Sequence, residues 1–340
     1  MDDEALAVTP VSAAPSPRQF LRRRWNRLVR RQEFVVLLLF VALATFLTIR
    51  TDIFFSSQNL ASLARNFAWI AVVALGQGMV IITGGIDLSV GATLALASLI
   101  AARCMQVGLP VWLSILAGLS VGVVIGWING VTVARVRLPA FIVTLTTMSI
   151  ARGIAYGLTR GWSVTALPET FLYLGQHDFG LGSWTVPLPL VLALGIALLI
   201  SLLLNQTVFG RYVYAMSSGE RSLLVSGVNV VRLKVLVYIL CGLLAGAGGL
   251  LMTARLGVAA PAAAIGYEVD VVAAAVIGGT SMFGGVGSTL GILLGAAVTQ
   301  MLYNGLVLLG FPAYLQTVAI GVMVLIAIFL DYWRRRRKGD

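Results

Sequence analysis

The sequence predicts an all-α, polytopic membrane protein with about ten transmembrane helices. Of its 340 residues, 59% are hydrophobic and only 11% are charged, and the mean hydropathy is +0.96. A soluble domain of this length carries about 25% charged residues, so most of this surface must face lipid. The 37 glycines are typical of helices that pack closely within a bilayer.

Ten apolar segments support this class, because a helix needs about 20 residues to cross a bilayer. They are 34–49, 60–82, 90–107, 111–134, 139–159, 187–204, 235–254, 269–280, 289–309 and 314–332. The segment 269–280 is too short to cross as a straight helix. We therefore expect a broken or re-entrant element there, buried within protein where irregular backbone is tolerated.

An even number of segments puts both termini on one side of the membrane, and the charges indicate which side. Eighteen of the 24 basic residues fall in the tails 1–33 and 333–340 or in the connections predicted on the same side. By the positive-inside rule this side is the cytoplasm. The transmembrane domain is then 34–332. Because topology explains the arginine runs, we predict no nucleic-acid binding.

Two connections are long enough to have a role of their own. The segment 160–186 is predicted to be external and, with its aromatic residues, to form a small packed cap. The segment 205–234 is predicted to be cytoplasmic, with two short helical pieces broken around Ser217–Gly219 and Gly227–Asn229. Long connections usually have a function, so we expect 205–234 to dock a soluble partner.

An internal two-fold repeat is indicated by the stretch VGATLALA at 90–97, which returns as VGSTLGIL at 286–293. A glycine-rich stretch precedes each copy. Interrupted hydrophobic segments at corresponding positions of two halves point to a transport pathway. We expect the helices to break at six glycines: Gly84, Gly85, Gly91, Gly284, Gly285 and Gly287.

Asp87 is an ionisable residue between two apolar segments and is expected at membrane depth, which makes it a candidate functional residue. The alternative is that Asp87 or Ser89 caps the helix that starts near Val90, because lipid cannot bond the first amides of a helix. Both interpretations stay open at the level of the sequence.

The fifth apolar segment carries a polar face. Thr144, Met148, Arg152 and Tyr156 recur at every fourth position, and Asn129 lies near the end of the fourth segment. Such faces bond substrate hydroxyls or join neighbouring helices, and an arginine can instead extend to the outer interface. The candidate pathway residues are Asp87, Ser89, Asn129, Thr144, Arg152 and Tyr156.

Four blocks of the chain resemble a known family: 84–98, 128–153, 210–257 and 273–296. They are similar to the permease subunits of ribose-type ABC importers, which take up monosaccharides in bacteria. The resemblance implies a multi-pass inner-membrane protein in lipid that transports a ribose-like pentose, a hexose or a furanose-type sugar. It also implies three partners: a cytoplasmic ATPase with two nucleotide-binding domains, a second permease copy or sister permease, and a periplasmic sugar-binding protein.

Within this family the connection 205–234 resembles the coupling helix with its motif EAA-x-x-x-G. If Gly227 is the motif glycine, Arg221 stands at the acidic position, and Ser222 and Leu223 replace the alanines. Glu220 lies one residue away from the motif position. Leu223, Leu224 and Val225 provide an apolar surface that either contacts the ATPase or packs back on the bundle.

The family also implies that this chain binds no cofactor, because ATP and magnesium belong to the partner ATPase. The sequence agrees, since it contains no G-x-x-x-x-G-K-[ST] phosphate-binding pattern. With His177 as its only histidine and no metal-ligand spacing, the chain is not expected to be an enzyme or to hold a metal.

The remaining alternative is an ion-coupled secondary sugar transporter, which would need several carboxylates deep in the bundle. Asp87 is the only acidic residue clearly inside a predicted span. We expect Glu268 and Asp270 to lie at the outer start of the segment 269–280, where a helix N-terminus favours acidic residues.

Overall fold

The computed structural model describes residues 32–217 and 219–337. Within them the chain forms thirteen helices and one antiparallel sheet with strands β1 (Asp178–Leu181) and β2 (Trp184–Pro187). The helices are α1 (Gln32–Arg50), α2 (Ser57–Ile82), α3 (Val90–Gln106), α4 (Val111–Ala134), α5 (Ala140–Thr159), α6 (Glu169–Gln176), α7 (Leu188–Gln206), α8 (Val208–Met216), α9 (Glu220–Val225), α10 (Val230–Leu256), α11 (Tyr267–Ile277), α12 (Thr289–Leu308) and α13 (Ala313–Arg337).

Each predicted apolar segment corresponds to one of these helices. In the described part of the chain, eight helices are long and apolar enough to cross a bilayer: α1, α2, α4, α5, α7, α10, α12 and α13. Helix α3 has 17 residues, and α11, the short element predicted at 269–280, has 11. The predicted class, all-α and polytopic, is confirmed, whereas the number of crossings stays a prediction.

Helix α13 continues to Arg337, five residues past the predicted end of the membrane domain at 332, and the boundary itself stays a prediction. Arginine is a good helix former, and the first glycine after the apolar segment is Gly339. Residues 1–31 and 338–340, which belong to the predicted tails, lie outside the described residues.

Helices α2 and α10 form the centre of the bundle. Every residue of α2 from Ala68 to Ile82 is buried, and α10 packs against α2, α3 and α4. By contrast, α1 and α13 bury only 11% and 12% of their membrane-length windows. Lipid is as apolar as a protein core, so these two peripheral helices can stay hydrophobic on every face.

Four glycines bring the backbone of α4 against α10. Gly118, Gly122, Gly126 and Gly130 recur at every fourth position and form one stripe. A Cβ added at Gly122 would lie 2.2 Å from the carbonyl oxygen of Gly242, which leaves no room for a side chain. Membrane helices approach each other closely at such stripes of small residues.

The segment 160–186 packs on one end of the bundle. Phe171 of α6 is buried, and Val164 pairs with Ala259 through two backbone hydrogen bonds of 2.7 and 2.9 Å. The hairpin β1–β2, which the sequence did not predict, is tied to α2 by an ion pair between Arg65 and Asp178.

We predict that Gly122→Val destabilises the protein, because the added side chain overlaps the Gly242 carbonyl. Overpacking of this kind costs about 1–3 kcal/mol. The measurement is thermal unfolding of the purified protein in detergent. Gly195→Val is the matched control, since a Cβ at Gly195 on α7 meets nothing within 4 Å. Equal unfolding temperatures for the two variants would contradict the close packing of α4 on α10.

Candidate functional site

The site is built around two interruptions in the bundle. The first break is residues 83–89, between α2 and α3, and the second break is residues 278–288, between α11 and α12. Each starts with the same helix-ending motif, in which a left-handed glycine follows the helix. Gly84 has φ +82° and Gly279 has φ +89°.

The hydrogen bonds of the two motifs correspond. After α2, the amides of Gly84 and Gly85 donate to the carbonyls of Ile81 and Val80 at 2.8 and 3.0 Å. After α11, the amides of Gly279 and Thr280 donate to Val276 and Ala275 at 2.9 and 3.0 Å. These are Schellman motifs, and they satisfy backbone carbonyls that lipid could not hydrogen-bond.

Among the predicted helix-break glycines, the prediction for Gly91 is wrong. It lies in the first turn of α3, where a Cβ would come within 2.8 Å of the Ala264 carbonyl oxygen, so it is glycine for close packing. Gly284 and Gly285 have φ +80° and +75°, and Gly287 lies in the second break before α12. Gly279 was missed, although the pair Gly278–Gly279 repeats the pair at 84–85.

The repeated stretches do not hold equivalent positions in the fold. VGATLALA begins with Val90, the first residue of α3, whereas VGSTLGIL begins three residues before α12 starts at Thr289. The internal two-fold repeat therefore stays a prediction, and the better structural match is between the two helix ends.

The two breaks touch each other. The Gly285 amide donates to the Ile82 carbonyl at 2.8 Å, and a Cβ at Gly287 would lie 2.9 Å from the Ile82 side chain. Irregular backbone at one break thus satisfies the end of the helix that enters the other. Because of this hydrogen bond, a displacement of one break would displace the other.

Asp87 occupies the centre of the first break and is 1% exposed. Its Oδ1 accepts hydrogen bonds from the Ser89 amide at 2.8 Å and from the Ser89 hydroxyl at 2.6 Å. Asn129 of α4 donates to the Ser89 hydroxyl at 2.9 Å and lies 3.5 Å from Asp87 Oδ2. The three side chains form one buried polar cluster between α3 and α4.

Gln77 of α2 holds the Asp87 backbone. With its amide oriented to satisfy both groups, Gln77 donates to the Asp87 carbonyl at 3.0 Å and accepts from the Asp87 amide at 3.2 Å. Gln77 is fully buried. The side chain thereby replaces the backbone partners that Asp87 would have within a helix. Gln77 was not among the predicted site residues, and its signal in the sequence is an amide in an otherwise apolar stretch.

The predicted helix cap takes a different form. Ser89 is in the N-cap position of α3, but its side chain makes no capping hydrogen bond to the helix. Asp87 instead bonds the amide of the N-cap residue itself, one position before the helix. Asp87 therefore stabilises the entry to α3, and its Oδ2 makes the long contact of 3.5 Å with Asn129.

Several polar atoms around this cluster have no partner among the described residues. They are Asn129 Oδ1, the Tyr238 hydroxyl and, one turn into α3, the Thr93 hydroxyl, and all three residues are at most 1% exposed. Buried polar atoms are nearly always hydrogen-bonded, so unpaired ones mark places where water or a ligand bonds.

The predicted polar face of α5 is divided between three environments. Thr144 is buried and donates to the Ala140 carbonyl of its own helix at 2.9 Å. Arg152 donates to the carbonyls of Pro261 and Ala263, both at 2.7 Å, and so holds the connection between α10 and α11. Tyr156 is 40% exposed and lies apart from the cluster.

Glu268 and Asp270 lie in the first turn of α11, as expected, but the Asp270 side chain is buried in the bundle and not at its outer surface. Asp270 is 5% exposed and accepts from the Tyr303 hydroxyl at 3.1 Å, while Tyr267 packs on Trp69 in the middle of α2. Helix α11 thus begins inside the bundle, because the connection after α10 turns inward. The bundle holds a second buried carboxylate that the sequence placed at the surface.

The connection between α7 and α10 matches its prediction closely. Its helices α8 and α9 are separated around Ser217–Gly219, and α9 ends before Gly227. Gly227 has φ +80°, and the amides of Gly227 and Val228 donate to Leu224 and Leu223, both at 3.0 Å. This Schellman motif makes α9 a short element with a defined end.

The apolar residues of α9 divide into one inward and two outward positions. Leu223 is 8% exposed and packs on the bundle, whereas Leu224 and Val225 are 55% and 86% exposed. Arg221 and Ser222 are also exposed. Glu220 is paired with Lys234 at 2.9 Å, so its carboxylate already has a cation within the chain.

This connection contacts the second break. The Tyr214 hydroxyl of α8 donates to the Gly287 carbonyl at 3.1 Å, and the Ser217 hydroxyl donates to the Phe283 carbonyl at 3.0 Å. A continuous set of contacts therefore runs from α8 through the second break to Ile82 and the first break. Among the described residues, no group of three or more His, Cys, Asp or Glu could hold a metal ion.

We predict that Asp87→Asn folds normally but transports less, while Asp87→Ala loses stability. Asparagine keeps an acceptor for the Ser89 amide, whereas alanine leaves that buried amide unpaired at a cost of about 1–3 kcal/mol. The measurements are protein yield, thermal unfolding and transport. Asp52→Ala, at an exposed position, is the control. Wild-type stability of Asp87→Ala would show that the cluster does not support the first break.

Comparison with known proteins identifies the family. Residues 59–328 match the family described as "Branched-chain amino acid transport system / permease component". The chain is 39% identical to the ribose import permease protein RbsC of Escherichia coli (strain K12) over 93% of this chain and 97% of that protein. It is 34% identical to the fructose import permease protein FrcC of Rhizobium meliloti, over 88% and 85%.

A third relative is the xylose transport system permease protein XylH of Escherichia coli (strain K12), which is 32% identical over 90% of this chain and 93% of that protein. No solved structure matches the chain. The family match covers most of the bundle, including both breaks and the connection with α8 and α9. The chain therefore belongs to this family of membrane-spanning transport permease components.

Proposed function

We propose that the chain is the membrane-spanning subunit of an ABC importer for a monosaccharide. The observation that carries the proposal is its match, over nearly the full length, to import permeases named for ribose, fructose and xylose. The family description mentions branched-chain amino acids, but these relatives are named for sugars. Because they are import permeases, the ion-coupled carrier considered from the sequence is set aside.

The chemistry of the buried cluster supports a neutral, hydroxyl-rich substrate. Asn129 Oδ1, the Tyr238 hydroxyl and the Thr93 hydroxyl are buried without partners. Such groups exchange hydrogen bonds with sugar hydroxyls and leave no buried charge uncompensated. A zwitterionic amino acid would need a paired anion and cation site, and Asp87 has no ion-pair partner among the described residues. The pathway we propose passes Asp87, Ser89, Asn129 and Thr144.

Two other pathway candidates take a different role in this proposal. Arg152 already donates to two carbonyls of the connection between α10 and α11. It therefore positions that connection, and the Val164–Ala259 backbone pairing holds its other end. Tyr156 lies outside the pathway, since it is 40% exposed.

We propose that the end of the bundle carrying α8 and α9 faces the cytoplasm and that the protein lies in the bacterial inner membrane. This orientation follows from the distribution of basic residues. Both termini are then cytoplasmic. Fusions of a cytoplasmic reporter after residue 33 and after residue 333 should both be active, and an external signal from either would contradict the orientation.

We also propose the partners of the chain. ATP and magnesium are held by a cytoplasmic ATPase with two nucleotide-binding domains, and this chain itself is non-catalytic. A second copy of the chain or a sister permease completes the pathway, and a periplasmic sugar-binding protein delivers the substrate. The names of the relatives as import permeases support this assembly.

The ATPase contact that we propose is the outward face of α9. Leu224 and Val225 are exposed apolar residues next to the polar positions Arg221 and Ser222, which is typical of an interface. The Schellman motif at Gly227 makes α9 rigid enough to transmit a displacement. The contacts of Tyr214 and Ser217 with the second break would carry it to Ile82 and on to the cluster at Asp87.

We predict that Val225→Glu abolishes uptake and co-purification of the ATPase, because it buries a charge in the apolar contact. Membrane insertion and thermal unfolding should be unchanged, since Val225 is 86% exposed. Val107→Glu is the matched control, with 77% exposure at the opposite end of the bundle. Leu223→Glu and Gly227→Asp are unsuitable as tests of the ATPase contact, because both would also disturb the fold. Leu223 is buried, and the backbone of Gly227 has the left-handed conformation. If Val225→Glu still binds the ATPase, the turn at residues 135–138 becomes the next candidate.

The proposed function is tested by uptake in vesicles that contain the chain together with the ATPase and the sugar-binding protein proposed as its partners. Radiolabelled ribose, fructose, allose and xylose are compared with leucine. We expect ATP-dependent uptake of one monosaccharide and none of leucine. Uptake of leucine alone, or sugar uptake that follows an ion gradient without ATP, would refute the proposal.

A further inference from the structure

A groove outside the pathway lies between the two peripheral helices and the end of α11. It has a volume of about 140 Å³. Its walls are apolar residues of α1, α11 and α13, and its polar residues are Thr280 and Asp331. An apolar protein cavity of about 150 Å³ is large enough to hold a small hydrocarbon. The groove therefore fits a short stretch of an acyl chain.

The groove opens toward lipid. Val35 and Leu39 of α1 are both 45% exposed, and Ile326 of α13 is 54% exposed. From Met323 to Asp331 the α13 wall runs eight residues, or about 12 Å along the helix. Because these helices face the bilayer, the molecule that reaches the groove is a membrane lipid.

Thr280 provides the second observation. It is 1% exposed, it lines the groove, and its hydroxyl has no hydrogen-bond partner within residues 32–217 and 219–337. Gly287 of the second break packs close to this hydroxyl, since a Cβ there would come within 3.0 Å of it. A buried hydroxyl without a partner in an apolar groove is costly unless a ligand bonds it.

Asp331 provides a negative charge at the same site. Its Oδ2 accepts from the Ser281 hydroxyl at 2.8 Å, and no ion pair to Asp331 occurs among the described side chains. In the sequence four arginines, 334–337, follow Asp331 after two aromatic residues. The order of charges along α13, an anion and then cations, complements a zwitterionic headgroup with an ammonium and a phosphate.

We propose that this groove is a binding site for a phospholipid with a primary-ammonium headgroup, phosphatidylethanolamine. One acyl chain lies along the apolar wall, the ammonium donates to Asp331, and Thr280 bonds an oxygen of the lipid. A choline headgroup has no N–H to donate, so it cannot replace the ammonium at Asp331. The bound lipid joins α1 and α13 to Thr280 at the start of the second break.

The test is lipid binding to the purified chain, measured by native mass spectrometry. The probes are phosphatidylethanolamine, phosphatidylcholine and phosphatidylglycerol with identical acyl chains. We expect phosphatidylethanolamine to bind best. Asp331→Asn should weaken it about tenfold, as expected for the loss of a charge-assisted hydrogen bond, and Thr280→Val about threefold. Ala327→Phe should fill the groove and reduce binding of all three lipids.

Two matched controls separate the groove from general effects. Glu33→Gln removes one negative charge near the start of α1 without touching the groove, and Ala313→Phe adds the same bulk at the other end of α13. Both should bind phosphatidylethanolamine like the wild type. Equal binding of phosphatidylethanolamine and phosphatidylcholine, preference for phosphatidylglycerol, or equal effects of Glu33→Gln and Asp331→Asn would overturn the proposal. Because the readout is binding, it does not depend on the sugar that is transported.

Discussion

The structure depends on one constraint: two chain breaks interrupt an apolar bundle, and lipid cannot bond the backbone groups that they free. Both are satisfied from within the protein, first by the Schellman motifs at Gly84 and Gly279. The two breaks then bond each other between Gly285 and Ile82, and Gln77 bonds the backbone of Asp87. The polar groups that satisfy the breaks are therefore gathered around Asp87, and together they form the candidate site.

Close packing of the helices makes this arrangement possible. The glycine stripe of α4 lets its backbone touch α10, and this contact carries Asn129 to the first break beside Ser89. Tyr238 of α10 lies at the same level, since its hydroxyl would be 2.7 Å from a Cβ at Gly85. Small residues therefore do more than join helices, because they bring Asn129 within bonding distance of Ser89 and the Tyr238 hydroxyl close to the first break.

The periphery differs from this centre in its energetics. Helices α1 and α13 are mostly exposed, and their contact with the end of α11 leaves the groove at Thr280 and Asp331. The outward face of α9 is likewise exposed but is held by a rigid turn. The groove includes Thr280 of the second break, and α9 contacts α8, whose Tyr214 bonds the same break. The proposed lipid and the proposed ATPase contact would therefore act on the same element.

Much of the fold could be predicted from the sequence, because hydrophobic length and turn glycines are local signals. The apolar segments, the family, and the division of the connection into α8 and α9 with Gly227 at its end were all visible there. The short α11 was also expected, since 11 residues cannot cross a bilayer. Each of these features depends on residues that are close together in the chain, so a local sequence pattern is enough to predict it.

Only the tertiary structure decided what each polar residue contacts. It put Asp270 inside the bundle against Tyr303, because the connection after α10 turns inward and no local pattern records that turn. It showed that Gly91, predicted to be a helix break, is a position of close packing beside Ala264. It also turned Leu223 inward and Val225 outward on one short helix. Composition and periodicity determine that a segment is helical and apolar, whereas partners distant in the chain determine which of its faces is buried.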